Sequence, residues 1–407
     1  MATILEMPLV QPAAAGERRR LMGWALVSFA VNLGFSRFSF GAVLPALHAE
    51  FGASYGTLGV VNAINLAGYL VGTLFTPLVA GDARLCRRGF VVSTLLVGAG
   101  LAASAGAHDI VMLGIWRGAI GIASAFAIGT TAVLTFERVA PEFRGRASSA
   151  MWAGLGLGLA AAGPIAPLAN AAPPVISWRL MWIVMALFCP VAVIGFTRAL
   201  RRTPPHAILG GLGSSFELRD LVRPQRFLFL NIAYFAAGAA YIAYATFAVA
   251  LFRMHGVPDG AAGFAWAVVG LSGTVSALLI GRHIDSPRIR TALAFALACC
   301  ALGAAFALTT TVVAALASAV TFGIGSTATP AIVTALTRKR SSAKTYPANF
   351  SAVTTMLAVG QFVGPVGVAP LVDRYGLSAA AAFAAIVFGA GVVFAMLDAR
   401  FAQRSAA

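Results

Sequence analysis

The feature that most constrains this chain is a recurrence of apolar runs, each followed by a short hydrophilic gap, from residue 21 to residue 398. Each run is close to the roughly 20 residues that cross a bilayer as a helix at about 1.5 Å per residue. The runs cover 21–47, 55–80, 89–107, 110–136, 146–171, 177–199, 227–252, 260–281, 290–308, 311–336, 347–371 and 377–398. Backbone groups in lipid must be paired within the segment, so runs of this length predict helices. The alternating pattern of about ten residues that marks a transmembrane barrel strand is absent. Composition agrees: 59% of the residues are hydrophobic and 10% are charged, against about 25% charged in soluble domains. The expected fold class is an all-α membrane protein of twelve transmembrane helices.

The charges define topology. The net charge of +16 would suggest nucleic acid as a partner for a soluble protein, but here the positions of the charges exclude that. Of the Lys and Arg residues, 24 fall in the two tails and in or at the edges of alternate gaps, and three (Arg179, Arg253 and Arg374) fall on the opposite side. Positive charge accumulates on the cytoplasmic side of membrane proteins. The split therefore predicts an even helix count with both termini in the cytoplasm. Residues 1–20 read as a cytoplasmic tail rather than a signal peptide, because the apolar run after Arg18, Arg19 and Arg20 is longer than a signal core and lacks a clean cleavage site.

The longest gap, 200–226, reads as a cytoplasmic linker. It divides the chain into a six-helix bundle at 21–199 and a second at 227–398, with a tail at 399–407. The bundles carry matching segments. Gly163 and Pro164 in the fifth run correspond to Gly364 and Pro365 in the eleventh. Gly81, Asp82, Arg84, Arg87 and Arg88 after the second run correspond to Gly281, Arg282, Asp285, Arg288 and Arg290 after the eighth. Six-helix repeats related by an axis along the membrane normal are a transporter architecture, with the substrate site between them.

Several segments resemble one family in order along nearly the whole chain. They are residues 36–47 (SRFSFGAVLPAL), 65–72 (NLAGYLVG), 154–158 (GLGLG), 177–182 (SWRLMW), 234–247 (YFAAGAAYIAYATF) and 360–365 (GQFVGP). They are similar to the YbfB/YjiJ-type bacterial branch of the major facilitator superfamily. The resemblance implies a bacterial inner-membrane transporter that works by alternating access, as a monomer. It also implies a conformational latch at Asp82, Arg84, Arg87 and Arg88, with Asp285 in the equivalent gap, although the spacing departs from the superfamily signature. Ordinary positive-inside charge is the alternative reading of those residues. Arg117 and Gly121 match the superfamily's Arg-x-x-x-Gly in the fourth helix. The antiporter-type signature is matched only at Gly163 and Pro164.

Arg37 and Arg117 are the two cations that lie away from the ends of the predicted spans. Such a charge costs roughly 2.5–3.5 kcal/mol or more at the bilayer centre, so it usually faces a cavity. Counted from the helix ends they lie at similar depth, about 15 and 10 Å in. In the fold that the chain resembles, both helices line the central cavity. All Asp and Glu residues lie in tails, gaps or span ends, Asp398 being the last residue of the final span. An organic anion is one counter-ion for these guanidinium groups; helix–helix bonding is the alternative. In the second bundle, Tyr234, Tyr241 and Tyr244 are candidate substrate contacts with helix packing as their alternative, and Gln361 is a further candidate with an interhelical hydrogen bond as its alternative. Gly163, Pro164, Gly364 and Pro365 are candidate hinges, because proline removes a helical hydrogen bond; static packing is their alternative.

The function expected is secondary transport of a small organic solute, with an organic anion favoured and efflux of drugs or apolar metabolites as the runner-up. Proton coupling would use Glu50 or Glu137 near helix ends, or ride on a protonated substrate; facilitated diffusion needs neither. The four cysteines and five histidines form no metal-ligand spacing, and no cofactor or metal is expected. Paired membrane aspartates, Ser with His inside a span, or clustered metal ligands would mark an intramembrane enzyme, and none is present.

Overall fold

The computed structural model describes residues 15–80, 82–170, 177–203, 227–283, 289–341 and 345–404. Asp285, residues 204–226 of the expected linker, residues 1–14 of the N-terminal tail and residues 405–407 of the C-terminal tail lie outside them. The main helices in chain order are α1 (Ala15–Ala42), α2 (Tyr55–Phe75), α3 (Ala83–Ala105), α4 (Ile110–Phe136), α5 (Arg144–Ala162), α6 (Trp178–Arg202), α7 (Leu228–Met254), α8 (Asp259–His283), α9 (Ile289–Phe306), α10 (Val312–Lys339), α11 (Tyr346–Tyr375) and α12 (Ser378–Arg404).

Ten of the described helices are long and apolar enough to cross a membrane; α5 and α9 are not among them. The expected fifth span is split, since α5 ends at Ala162 and helix resumes only at Ala166–Asn170. The expected ninth span becomes 18 residues, Ile289–Phe306. Both nevertheless pack inside the bundle, α5 against α1 and α8, and α9 against α10 and α12.

Local sequence sets the helix starts. The side chains of Ser54, Asp82, Asp109 and Thr311 each accept a hydrogen bond from the backbone N–H three residues on. These caps satisfy one of the orphan donors at a helix N-terminus.

The packing repeats with a period of six helices. α2 packs on α4 as α8 packs on α10. α3 packs on α4 and α6 as α9 packs on α10 and α12. α1 packs on α5 and α6 as α7 packs on α11 and α12. The two sets meet along α5–α8, α11–α2 and α1–α7.

One end of the bundle carries the turn at residues 51–54. There Asp373, near the end of α11, accepts hydrogen bonds from the Gly56 N–H (2.9 Å) and the Ser54 hydroxyl (3.1 Å) at the start of α2. The opposite end is rich in arginine. Arg18 lies over the Phe143 ring at 3.7 Å, and Arg340 is paired with Asp398.

Between α5 and α8 the approach is closest at glycine. A Cβ at Gly156 would collide with the Gly270 carbonyl oxygen, and one at Gly270 with that of Gly156. The Thr274 hydroxyl donates to the Ala153 carbonyl at 3.1 Å in the same seam. Small residues permit this backbone proximity, which packing in membranes depends on.

Candidate functional site

The middle of α1 is a π-helix, Ala30–Phe38, with Arg37 in its last turn. Such segments are rare and are found frequently at functional sites. Arg37 is buried. Its Nη1 donates to Gln361 Oε1 on α11 at 3.0 Å, and its guanidinium lies 4.2 Å from the centre of the Tyr69 ring on α2. A desolvated cation–π contact of this kind contributes about 2 kcal/mol. The remaining donors, Nε and Nη2, have no protein partner among the described residues.

Arg117, on α4, is fully buried. Its Nη2 reaches the Arg37 carbonyl oxygen at 3.4 Å and Asn62 Oδ1 at 3.5 Å, both long bonds. The Phe40 and Trp182 rings flank it, with centroids at 5.0 and 5.9 Å. Nε and Nη1 lack partners among the described residues. Neighbouring groups hold its helix: Asn65 Nδ2 donates to the Arg117 carbonyl at 2.8 Å, and a Cβ at Gly121 would collide with the Asn65 carbonyl. The Arg-x-x-x-Gly pattern of α4 thus seats α4 against α2.

The two arginines meet, as their matched depths suggested, through side chain to backbone rather than fork to fork. Gln361 joins them. Tyr241 is partly accessible; its ring is edge-on to Phe38 (5.3 Å) and stacked on Phe322 (5.6 Å, interplanar 5°). Tyr234 is buried in α7. Tyr244 is turned to α10, where its hydroxyl is 2.6 Å from the Ser318 hydroxyl and its ring stacks on Phe322 at 3.9 Å. Tyr244 is therefore engaged with α10.

Tyr69, Asn62 and Thr246 also belong to this region. Asn62 Nδ2 donates to the Thr246 hydroxyl at 2.8 Å, linking α2 to α7. The sequence shows an Asn in an apolar run at position 62, but nothing there marks Tyr69 as the ring beneath Arg37, because that pairing spans two helices.

Of the expected latch, Asp82 caps α3 by accepting from the Leu85 N–H at 2.7 Å. Arg84, Arg87 and Arg88 line a groove on that helix with Val91 and Val92. Of the expected hinges, Gly163 and Pro164 lie at the break after α5. Pro365 lies inside the uninterrupted α11, and Gly364 faces the Ala239 carbonyl of α7. The two acids near helix ends are paired, Glu50 with Arg179 and Trp178, and Glu137 with Arg138 at 3.3 Å. Burial raises the Glu137 carboxyl above its ordinary range, with the Arg138 charge opposing the shift. Among the described residues there is no cluster of metal-ligating side chains.

Solved structures share this architecture. A mutant form of the nucleoside transporter NupG superposes with a TM-score of 0.72 at 13% identity, covering 95% of this chain and 99% of that one. The human organic anion transporter MFSD10 (TETRAN) gives 0.66 at 12% identity, covering 93% and 99%. A bacterial homologue of the human lysosomal transporter Spinster, inward-facing and occupied, gives 0.68 at 15% identity, covering 96% and 97%. No curated protein sequence matches the chain. Residues 29–399 match the family described as uncharacterised MFS-type transporter YbfB. Apolar helices long enough to cross a membrane, the shared architecture and this match over most of the chain lead to one conclusion: the protein is a multi-pass membrane transporter of the YbfB-type major facilitator family.

Proposed function

We propose that this transporter moves small organic anions by alternating access, with Arg37 as the residue that binds the carboxylate. The observation that carries the reading is the free Nε–Nη2 edge of a buried guanidinium. That edge presents two parallel N–H donors, the geometry that a carboxylate accepts bidentately. Among the described residues no acid is paired with Arg37. Asp398, Glu50, Asp259 and Glu137 are paired with Arg340, Arg179, Arg253 and Arg138, and Asp373 caps the start of α2. The same uncompensated positive charge disfavours a cationic drug as cargo.

In this reading the chain spans the inner membrane of a bacterium twelve times, with the arginine-rich end in the cytoplasm, as the positive-inside bias supports. The six-helix recurrence of packing supports two bundles that rock about the Arg37 region. The bonds of Asp373 to α2 then close the outer side. Protons are the candidate coupling ion, carried by a paired helix-end acid or by the substrate itself, and the functional unit is a monomer.

The test is uptake of labelled carboxylates into proteoliposomes by the wild-type protein, Arg37→Gln and Arg117→Gln. A hydrogen bond to a charged group contributes about 1.5–3 kcal/mol, so Arg37→Gln should lower apparent affinity roughly 10- to 100-fold. Normal transport of the native solute by both folded variants overturns the reading.

A further inference from the structure

The region around Arg37 also restricts what kind of anion fits. The first restriction is on charge. Arg37 keeps one intact fork edge, Nε with Nη2. Arg117 does not: its free donors are Nε and Nη1, which share no edge, and its Nη2 is directed at the Arg37 carbonyl and Asn62. The pair therefore offers one bidentate seat, which suits one carboxylate.

The second restriction is on the body of the solute. Tyr69 lies beneath the Arg37 guanidinium. Phe38, next in sequence to Arg37, meets Tyr241 edge-on, and Tyr241 is stacked nearly parallel on Phe322. Phe38 and Phe322 are buried, whereas Tyr69 and Tyr241 keep part of their surface accessible. The accessible rings come from α2 and α7, one from each set of six helices. The amide of Gln361 already uses its oxygen on Arg37. A hydroxyl-rich body would thus meet aromatic walls, while a flat unsaturated body would match them.

We infer that the solute is a monocarboxylate with an aromatic body, its carboxylate on the Nε–Nη2 edge of Arg37 and its ring against Tyr241. This rests on the anion-site reading above and adds the identity of the uncharged part. Stacked or edge-to-face aromatic pairs contribute about 0.5–1.5 kcal/mol beyond their area, roughly a 2- to 12-fold change in affinity.

The experiment uses the full chain in detergent and measures binding by isothermal calorimetry. The probes are benzoate, cyclohexanecarboxylate, phthalate and neutral benzamide, with wild type, Tyr241→Leu, Tyr241→Phe and Arg37→Gln, each checked for folding by size exclusion. Wild type should bind benzoate several-fold tighter than cyclohexanecarboxylate and tighter than phthalate. Tyr241→Leu should lower benzoate affinity to that of cyclohexanecarboxylate, removing the preference for the aromatic ring, and Tyr241→Phe should keep the preference.

Equal affinity for benzoate and cyclohexanecarboxylate, with both lost in Arg37→Gln, overturns the aromatic inference and leaves the anion site standing. Benzamide binding as well as benzoate, or benzoate binding unchanged in Arg37→Gln, overturns the anion site itself. Failure of the folded protein to bind benzoate overturns the aromatic inference as well. A preference for the ring that survives Tyr241→Leu overturns the assignment of Tyr241.

Discussion

Arg37 on α1 donates Nη1 to Gln361 Oε1 on α11, and this 3.0 Å bond decides which edge of the guanidinium stays free. It also ties the first set of six helices to the second at the site itself. A buried cation held by a neutral amide keeps its charge uncompensated, which is what an anionic ligand requires.

Gln361→Glu should therefore neutralise the site. A carboxylate opposite Nη1 competes with a bound anion, and the expected result is a loss of about tenfold or more in carboxylate affinity. The folded protein should melt at a higher temperature, since Arg37 gains a counter-ion. Gln361→Leu should do the reverse to stability, costing about 1–3 kcal/mol for the donor left unpaired. Calorimetric binding and thermal melts in detergent check both.

The bonds of Asp373 to the start of α2 predict a gate. Asp373→Ala removes two acceptor contacts at about 1 kcal/mol each, enough to shift a two-state population about 30-fold. Ala250 is buried yet lines a small hollow beside Pro45, Tyr55 and Leu377 at this end of the bundle. A cysteine placed at Ala250 should react with an impermeant maleimide up to about 30-fold faster in the Asp373→Ala background. Unchanged labelling would show that these bonds do not hold the end closed.

The α5–α8 seam should tolerate no side chain at its centre. Gly270→Leu places atoms where the Gly156 carbonyl and the Ala160 backbone already lie. Overpacking typically costs about 1–3 kcal/mol, and a backbone collision lies at the upper end of that range. Transport should fall to background while the melting temperature drops. Gly260→Ala, where a Cβ would meet nothing within 4 Å, is the control and should behave as wild type.

Glu137 predicts a pH effect of definite sign. Its carboxyl is raised by burial against the opposing charge of Arg138. A raised acid favours the fold most when protonated, so its contribution is full below the ordinary glutamate value of about 4.3 and fades as pH rises through the folded value. Glu137→Gln, permanently neutral, should melt higher than wild type near neutral pH. The difference should shrink as pH falls toward about 4. A melting difference independent of pH would rule out this origin.

Much of the architecture is legible in the sequence, because bilayer thickness acts on each apolar run separately. A run of about 20 residues with its charges at the ends reports a spanning helix without reference to any other. Ten described helices meet that standard. α5 does not, because the turn at Gly163–Ile165 interrupts it. Arg37 and Arg117 were legible for the same reason, since a charge inside such a run stands out wherever its partners lie.

What only the tertiary structure decided is how those groups are spent. Tyr69 lies 32 residues from Arg37 and Gln361 lies 324 residues away, and no local pattern encodes either pairing. Tyr241 and Tyr244 share a helix and look alike in sequence. One retains accessible surface beside Phe38, while the other is engaged by Ser318. Helix formation depends on neighbours a few residues apart, whereas the direction of a donor depends on which helix packs opposite it, and that is fixed only when the whole bundle closes.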